Sequence, residues 1–229
     1  MTLKAIIWDL DGTLIHFKID FIRARKEALK ILDDYRVPKD LLSLSKSIIE
    51  NVKISKQYLR SKDVSESEVS RMGAKVNSKV SEIEYEAALQ ATQVDNIDTA
   101  LEFAKENGLK QAIYTFNTHR NAQTSLEKVN LLTYFDVIVG RDDVDNPKPH
   151  MDHIFSICKK LNVKPQNCVV IGDTSNDIEG AINVGAYSVA INTKIPDSFK
   201  SQTFEKADFY IEESQIPDKL IEAIKKLLE

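Results

Sequence analysis

Cysteine, glycine, proline and tryptophan are all scarce in this 229-residue sequence, which holds 2, 7, 6 and 1 of them. The two cysteines, Cys158 and Cys168, form no Cys-x-x-Cys pair and imply no disulfide framework; they read as packed thiols of a reducing compartment. No apolar run approaches the roughly 18 residues that a membrane-spanning helix needs. The N-terminal run Ala5-Ile6-Ile7-Trp8 is cut by Asp9, which argues against a signal peptide. Basic residues are not in excess either: 31 Lys and Arg stand against 35 Asp and Glu, for a formal charge of −4. Without a basic stripe to replace phosphate counterions, a nucleic-acid partner is not expected. These absences point to a soluble cytoplasmic protein, with neither membrane nor nucleic acid among its partners.

Hydrophobic residues make up 42% of the chain, enough for a substantial core. The length suggests one large domain or a domain with a large insert. Short β-branched runs at 4–9, 111–115, 135–139, 167–172 and 186–191 have the texture of strands buried on both faces. Between several of them lie helical patterns. Thr99 to Asn107 reads as a helix capped by Asp98 and stopped by Gly108, His150 to Leu161 as another, and Ile178 to Val184 as a third closed by Gly185. Alternating strands and helices predict an α/β fold, a doubly wound and mostly parallel sheet with helices on both faces.

Residues 16–92 differ. They hold one glycine (Gly73), one proline (Pro38) and no convincing strand. Phe21, Ala24, Ala28, Leu32 and Tyr35 recur at helical spacing, as do Val69, Met72, Val76, Val80, Ile83 and Ala87 after a capping-box pattern from Ser65 to Glu68. Leu41 to Leu59 supplies at least one more helix. The expected organisation is an α/β core of residues 1–15 and 93–229 with an all-helical domain, 16–92, inserted after the first strand.

In a doubly wound sheet, ligands bind at the carboxyl ends of the strands. Asp9, Asp11, Gly12 and Thr13 follow the first expected strand, and Thr115 and Asn117 the second. Lys148, between Pro147 and Pro149, follows the third across a loop; Gly172, Asp173 and Asp177 follow the fourth. Four carboxylates gathered on one edge repel one another unless a cation compensates. All-oxygen ligands suit a hard ion, Mg²⁺ foremost, which uses few carboxylates together with substrate phosphate. A carboxylate beside such an ion and a lysine is a suitable nucleophile for phosphoryl transfer through an aspartyl-phosphate.

Asp9-Leu10-Asp11-Gly12-Thr13, Thr115, Lys148-Pro149 and Gly172-Asp173-Thr174-Ser175-Asn176-Asp177 resemble, in order, the four motifs of the haloacid dehalogenase-like superfamily. The helical insert after the first motif resembles the cap of its phosphoglycolate phosphatase-like branch. The stretch Gly180-Ala181-Ile182-Asn183-Val184-Gly185-Ala186 adds to that likeness. The resemblance implies a Mg²⁺-dependent phosphatase acting on a small phosphorylated metabolite, with a cap that closes over the substrate, in a monomer or homodimer. It implies Asp9 as nucleophile and metal ligand, and Asp11 as acid and base with its backbone carbonyl on the metal. Asp173 would bind the metal directly, and Asp177 through a water or by orienting Lys148. Gly12, Thr115, Asn117 and Lys148 would hold the phosphate or substrate.

Asp11 separates the branches, because relatives that attack carbon or cleave phosphonates lack an acid at that position. A phosphonate-cleaving relative would also need a cap lysine, and nothing singles out Lys53, Lys56 or Lys62. Two alternatives remain: a phosphomutase similar to β-phosphoglucomutase, and a non-catalytic binding or regulatory protein on the same fold. Phe116 departs from the branch, which often has Asn directly after the second-motif Thr. His16, His119 and Arg120 are secondary candidates for lining the site. His150 and His153 have helical spacing, but too few ligands surround them for zinc.

Overall fold

The computed structural model of the chain describes residues 2–16, 18–194 and 200–229. They divide into two compact units, Met1–Lys18 with Ala88–Glu229, and Ile19–Ala87. The larger unit holds strands β1 (Ala5–Trp8), β2 (Lys110–Tyr114), β3 (Val137–Val139), β4 (Cys168–Gly172), β5 (Tyr187–Asn192) and β6 (Phe209–Glu212). They form one sheet in the order β3-β2-β1-β4-β5-β6, and every adjacent pair is parallel. β1 is central, and the order reverses beside it, so the ends of β1, β2 and β4 open on one crevice.

Side-chain alternation along each strand decides which helix covers which face. Ile6, Trp8, Ile113, Val169, Ile171, Val189 and Ile191 join one core cluster with residues of three helices: α4 (Ile97–Glu106), α5 (His119–Lys128) and α8 (Asp218–Leu228). Ala5, Ile7, Ala112, Tyr114, Val139 and Val170 join another with α6 (Met151–Leu161) and α7 (Ser175–Val184). Burial on both faces explains why these strands read as continuous apolar runs rather than alternating ones. Cys158 and Cys168 lie buried in the second cluster as free thiols, their sulfurs 3.8 Å apart.

The smaller unit contains α1 (Phe21–Asp34), α2 (Ile48–Arg60) and most of α3 (Glu66–Ala88). Ala28, Leu32, Val37, Leu59, Val69, Met72, Val76 and Val80 form its own core. Asp20 and Ser47 accept hydrogen bonds from the first turns of α1 and α2. Of the capping box expected at Ser65, the half from the Glu68 amide to the serine hydroxyl is present at 3.3 Å, while the Glu68 carboxylate pairs with Arg71.

Several boundaries differ from the sequence expectation. The compact helical unit, Ile19–Ala87, is shorter than 16–92, and Ala91 packs into the α/β core. α4 begins at Ile97, after Asn96 in a left-handed conformation, so Asp98 lies in the first turn and is not the cap. α7 begins at Ser175, three residues before Ile178, because Thr174 takes the N-cap position and Asp177 closes a capping box onto it. α5, β6 and α8 lie outside the elements expected. Among the described residues no helix is long and apolar enough to cross a membrane.

Candidate active site

β1 ends at Trp8, and the chain turns sharply at once. The Gly12 amide donates to Ile15 O and the Leu14 amide to Leu10 O, so Asp9 and Asp11 are held on one tight loop. Gly12 has φ +92°, which side-chain-bearing residues rarely adopt, and a Cβ there would stand 1.9 Å from Asp173 Oδ2. The glycine therefore lets the β1 loop press directly against the carboxylate that follows β4. Gly172 does the same one residue earlier, since a Cβ on it would lie 2.3 Å from Asp177 Cγ.

Asp9, Asp173 and Asp177 are buried, and each offers an oxygen within 4.8 Å of the others. Lys148, itself 4% exposed, reaches into this group. Its ammonium donates to Asp9 Oδ1, to Asp177 Oδ1 at 2.7 Å and to Tyr114 O at 3.1 Å, so all three of its hydrogens are engaged. The charge also lies 4.9 Å from the Tyr114 ring centre and 5.4 Å from that of Phe116, close enough for cation–π attraction. Burial works to lower the Lys148 pKa, but the Asp177 and Asp9 carboxylates outweigh it and hold the ammonium above its ordinary range.

Three buried carboxylates face one ammonium, and the electrostatics record the shortfall. Burial, opposed by Lys148, pushes Asp9 up to about 6. Burial and the neighbouring Asp9 and Asp177 push Asp173 well above the usual carboxylate range. The hydrogen bonding distinguishes the acids. Asp177 has both oxygens occupied, Oδ1 by Lys148 and Oδ2 by the amide and hydroxyl of Thr174 at 3.0 and 2.5 Å. Asp173 accepts from the Thr193 hydroxyl through Oδ2 at 2.9 Å, whereas its buried Oδ1 has no partner among the described residues. An orphaned carboxylate oxygen, hard oxygen donors and surplus negative charge fit a divalent cation.

Asp11 is half-buried at the edge of this group, and its Oδ2 accepts from the Asn117 carboxamide at 2.5 Å. Thr115, one residue beyond β2, is buried, and its hydroxyl accepts from the Asn117 amide at 3.0 Å. The structure thus brings Asp9, Asp11, Gly12, Thr115, Asn117, Lys148, Asp173 and Asp177 to one sheet edge.

The secondary candidates are differently placed. His119 contacts Asp143 at 2.8 Å, and His16 lies 3.9 Å from Glu213. His150 is the N-cap of α6. His153 is fully buried. Its Nδ1 accepts from the Lys148 amide at 3.1 Å and its Nε2 donates to Val139 O at 2.9 Å, with burial driving its pKa down to about 4. His153 therefore holds the Lys148 loop as a neutral ring. Thr193 follows the end of β5 just as the motif residues follow the ends of β1, β2 and β4, which is the sequence signal that marks it; no comparable signal marks His153 inside its helix.

The chain matches the haloacid dehalogenase-like hydrolase family over residues 6–191. It is 29% identical over 207 residues to a phosphoglycolate phosphatase of Aquifex aeolicus, covering 85% of this chain and 91% of that protein. It is 28% identical over 187 residues to a phosphorylated carbohydrates phosphatase of Thermotoga maritima, covering 80% and 82%. Its fold is that of the crystal structure of β-phosphoglucomutase from Clostridium difficile, with a TM-score of 0.67 at 21% identity over 98% of each chain.

Proposed function

The chain belongs to the haloacid dehalogenase-like hydrolases, and on that footing we propose that it is a phosphatase acting on a small phosphorylated metabolite through an aspartyl-phosphate. The observation that carries this reading is the buried Asp9–Lys148–Asp177 array beside the open oxygen of Asp173, with Asp11 held at its edge. The names of the two phosphatase relatives support it.

Asp9, the Asp11 backbone carbonyl and the free Asp173 oxygen are the groups proposed to hold a divalent cation, with Mg²⁺ the best match to hard oxygen donors. Bound there, such a cation would supply neutralisation of the charge on the phosphoryl group. An Asp9 oxygen attacks phosphorus, the ester P–O bond breaks, and the leaving oxygen takes its proton from Asp11. Water then attacks the aspartyl-phosphate and gives its proton to Asp11, and the bond between phosphorus and Asp9 breaks to release phosphate. Lys148 keeps Asp9 ionised and aimed, and Thr115 and Gly12 line the position of the phosphoryl oxygens. Asn117, expected to touch substrate, acts on this reading by orienting Asp11. The helical unit Ile19–Ala87 is proposed to be the cap that selects the leaving group.

The decisive experiment is a screen of phosphorylated metabolites with Mg²⁺, scored for inorganic phosphate, with Asp9→Asn as the control. Phosphate release by the wild type and none by the variant is expected. Isomerisation of a sugar phosphate without net phosphate release would establish a mutase instead, and no turnover of any phosphate ester would leave a binding protein.

A further inference from the structure

Thr193 stands immediately beyond β5, the strand next to β4, and belongs to none of the four motifs. Its side chain is largely buried and donates to Asp173 Oδ2 at 2.9 Å. A carboxylate rotates about a single bond, and either oxygen can turn toward a cation. At Asp173 that freedom is removed from two sides. The Gly12 backbone fills the space against Oδ2, and the Thr193 hydroxyl occupies the same oxygen, so Oδ1 alone is left without a partner among the described residues. Thr193 is itself fixed, because Lys200 Nζ donates to Thr193 O at 2.6 Å and to Asn192 Oδ1 at 2.7 Å.

We infer that Thr193 is a positioning residue for the divalent cation, acting through the hydroxyl it donates to Asp173 so that Oδ1 is presented as the ligand. This rests on the proposed metal role of Asp173. A neutral hydroxyl suits the task better than a lysine, since it orients the carboxylate without cancelling the charge that attracts the ion. Groups that orient a metal ligand in this way matter by roughly 10- to 100-fold in metal affinity.

The test is direct metal binding, by calorimetry with Mg²⁺ and by electron paramagnetic resonance of added Mn²⁺, on full-length wild type, Thr193→Val, Thr193→Ala, Thr193→Ser and Asp173→Asn. Valine keeps the branched shape and loses the hydroxyl; alanine loses the hydroxyl with no added bulk; serine keeps the donor. The expected result is roughly 10- to 100-fold weaker binding for valine and alanine, near-native binding for serine, and loss of binding for Asp173→Asn. The Mg²⁺ concentration for half-maximal phosphatase activity should rise in parallel, with kcat largely restored at saturating Mg²⁺. A merely structural hydroxyl would lower the metal-free melting temperature while leaving the dissociation constant unchanged, and that outcome overturns the inference. So does failure of both valine and alanine variants to fold. If Asp173→Asn also binds the metal normally, the metal assignment underlying the proposed function fails instead.

Discussion

The carboxamide nitrogen of Asn117 lies 2.5 Å from Oδ2 of Asp11, joining the loop after β2 to the loop after β1. The Asn117 backbone is held in turn by the Thr115 hydroxyl, so the position of one residue fixes both neighbours. A general acid and base must be aimed at the leaving oxygen in one step and at water in the next, and an orienting donor keeps the same carboxylate in place for both. Asn117→Ala should therefore lower kcat on the order of 10²-fold, the low end of what acid–base catalysis contributes, with little change in KM. Asn117→Asp should be worse, because it sets two carboxylates against each other. Steady-state kinetics with an aryl phosphate measure both; a rise in KM at constant kcat would instead return Asn117 to substrate binding.

Asp9 illustrates a conflict between stability and chemistry. Its pKa in the folded protein stands at about 6, above the ordinary 3.8, chiefly through burial. A group whose folded pKa is raised favours the fold below its unfolded pKa, and that contribution is lost as pH rises through the folded value. At pH 7 an ionised Asp9 is accordingly a cost to the metal-free protein. Asp9→Asn should abolish turnover yet leave the metal-free melting temperature at pH 7 equal to or above that of the wild type. A markedly lower melting temperature would mean that the attraction to Lys148 outweighs burial.

The same surplus of buried carboxylate predicts the effect of the cation. Chelation should remove activity and added Mg²⁺ restore it, and Mg²⁺ should raise the melting temperature because it binds the folded site alone. Thermal scans of wild type with and without Mg²⁺ test this, with Asp9→Asn showing a smaller shift. An identical melting temperature in both conditions would count against the site at Asp9 and Asp173.

The fold was largely legible because β1, β2, β4 and β5 are buried along most of their length and read as short, mainly apolar runs. β6 was not, since its pattern is that of a short, half-exposed edge. α8 carries a strong stripe, with Leu220, Ala223 and Ile224 buried, that a helical reading could have caught. Within the site, the acids and Lys148 could be found because they follow strand ends at motif spacing. Partnerships across the sheet could not. No local spacing pairs Asn117 with Asp11 or Lys148 with Asp9, since topology and not sequence distance brings these atoms together.

His153 offers a test that is independent of turnover. Its neutral ring accepts from the Lys148 amide, donates to Val139 O and meets the Tyr114 ring edge-on at 4.5 Å. Folding lowers its pKa from 6.5 to about 4, chiefly by burial. The neutral form thus contributes stability above the unfolded pKa, which is lost as pH falls from about 6.5 toward 4, by up to about 3 kcal/mol. His153→Phe keeps a ring against Tyr114 but leaves the buried Lys148 amide unpaired, at about 1–3 kcal/mol, and leaves Val139 O with only the longer bond from the Thr115 amide at 3.4 Å. The variant should therefore be the less stable protein at pH 7, with the gap narrowing steadily toward pH 4 because only the wild type must charge or expel the imidazole. Acids common to both proteins, Asp9 among them, largely cancel in that difference. Urea unfolding of the pair at several pH values provides the measurement, and a gap independent of pH would show that His153 does not carry the neutral ring its hydrogen bonds require.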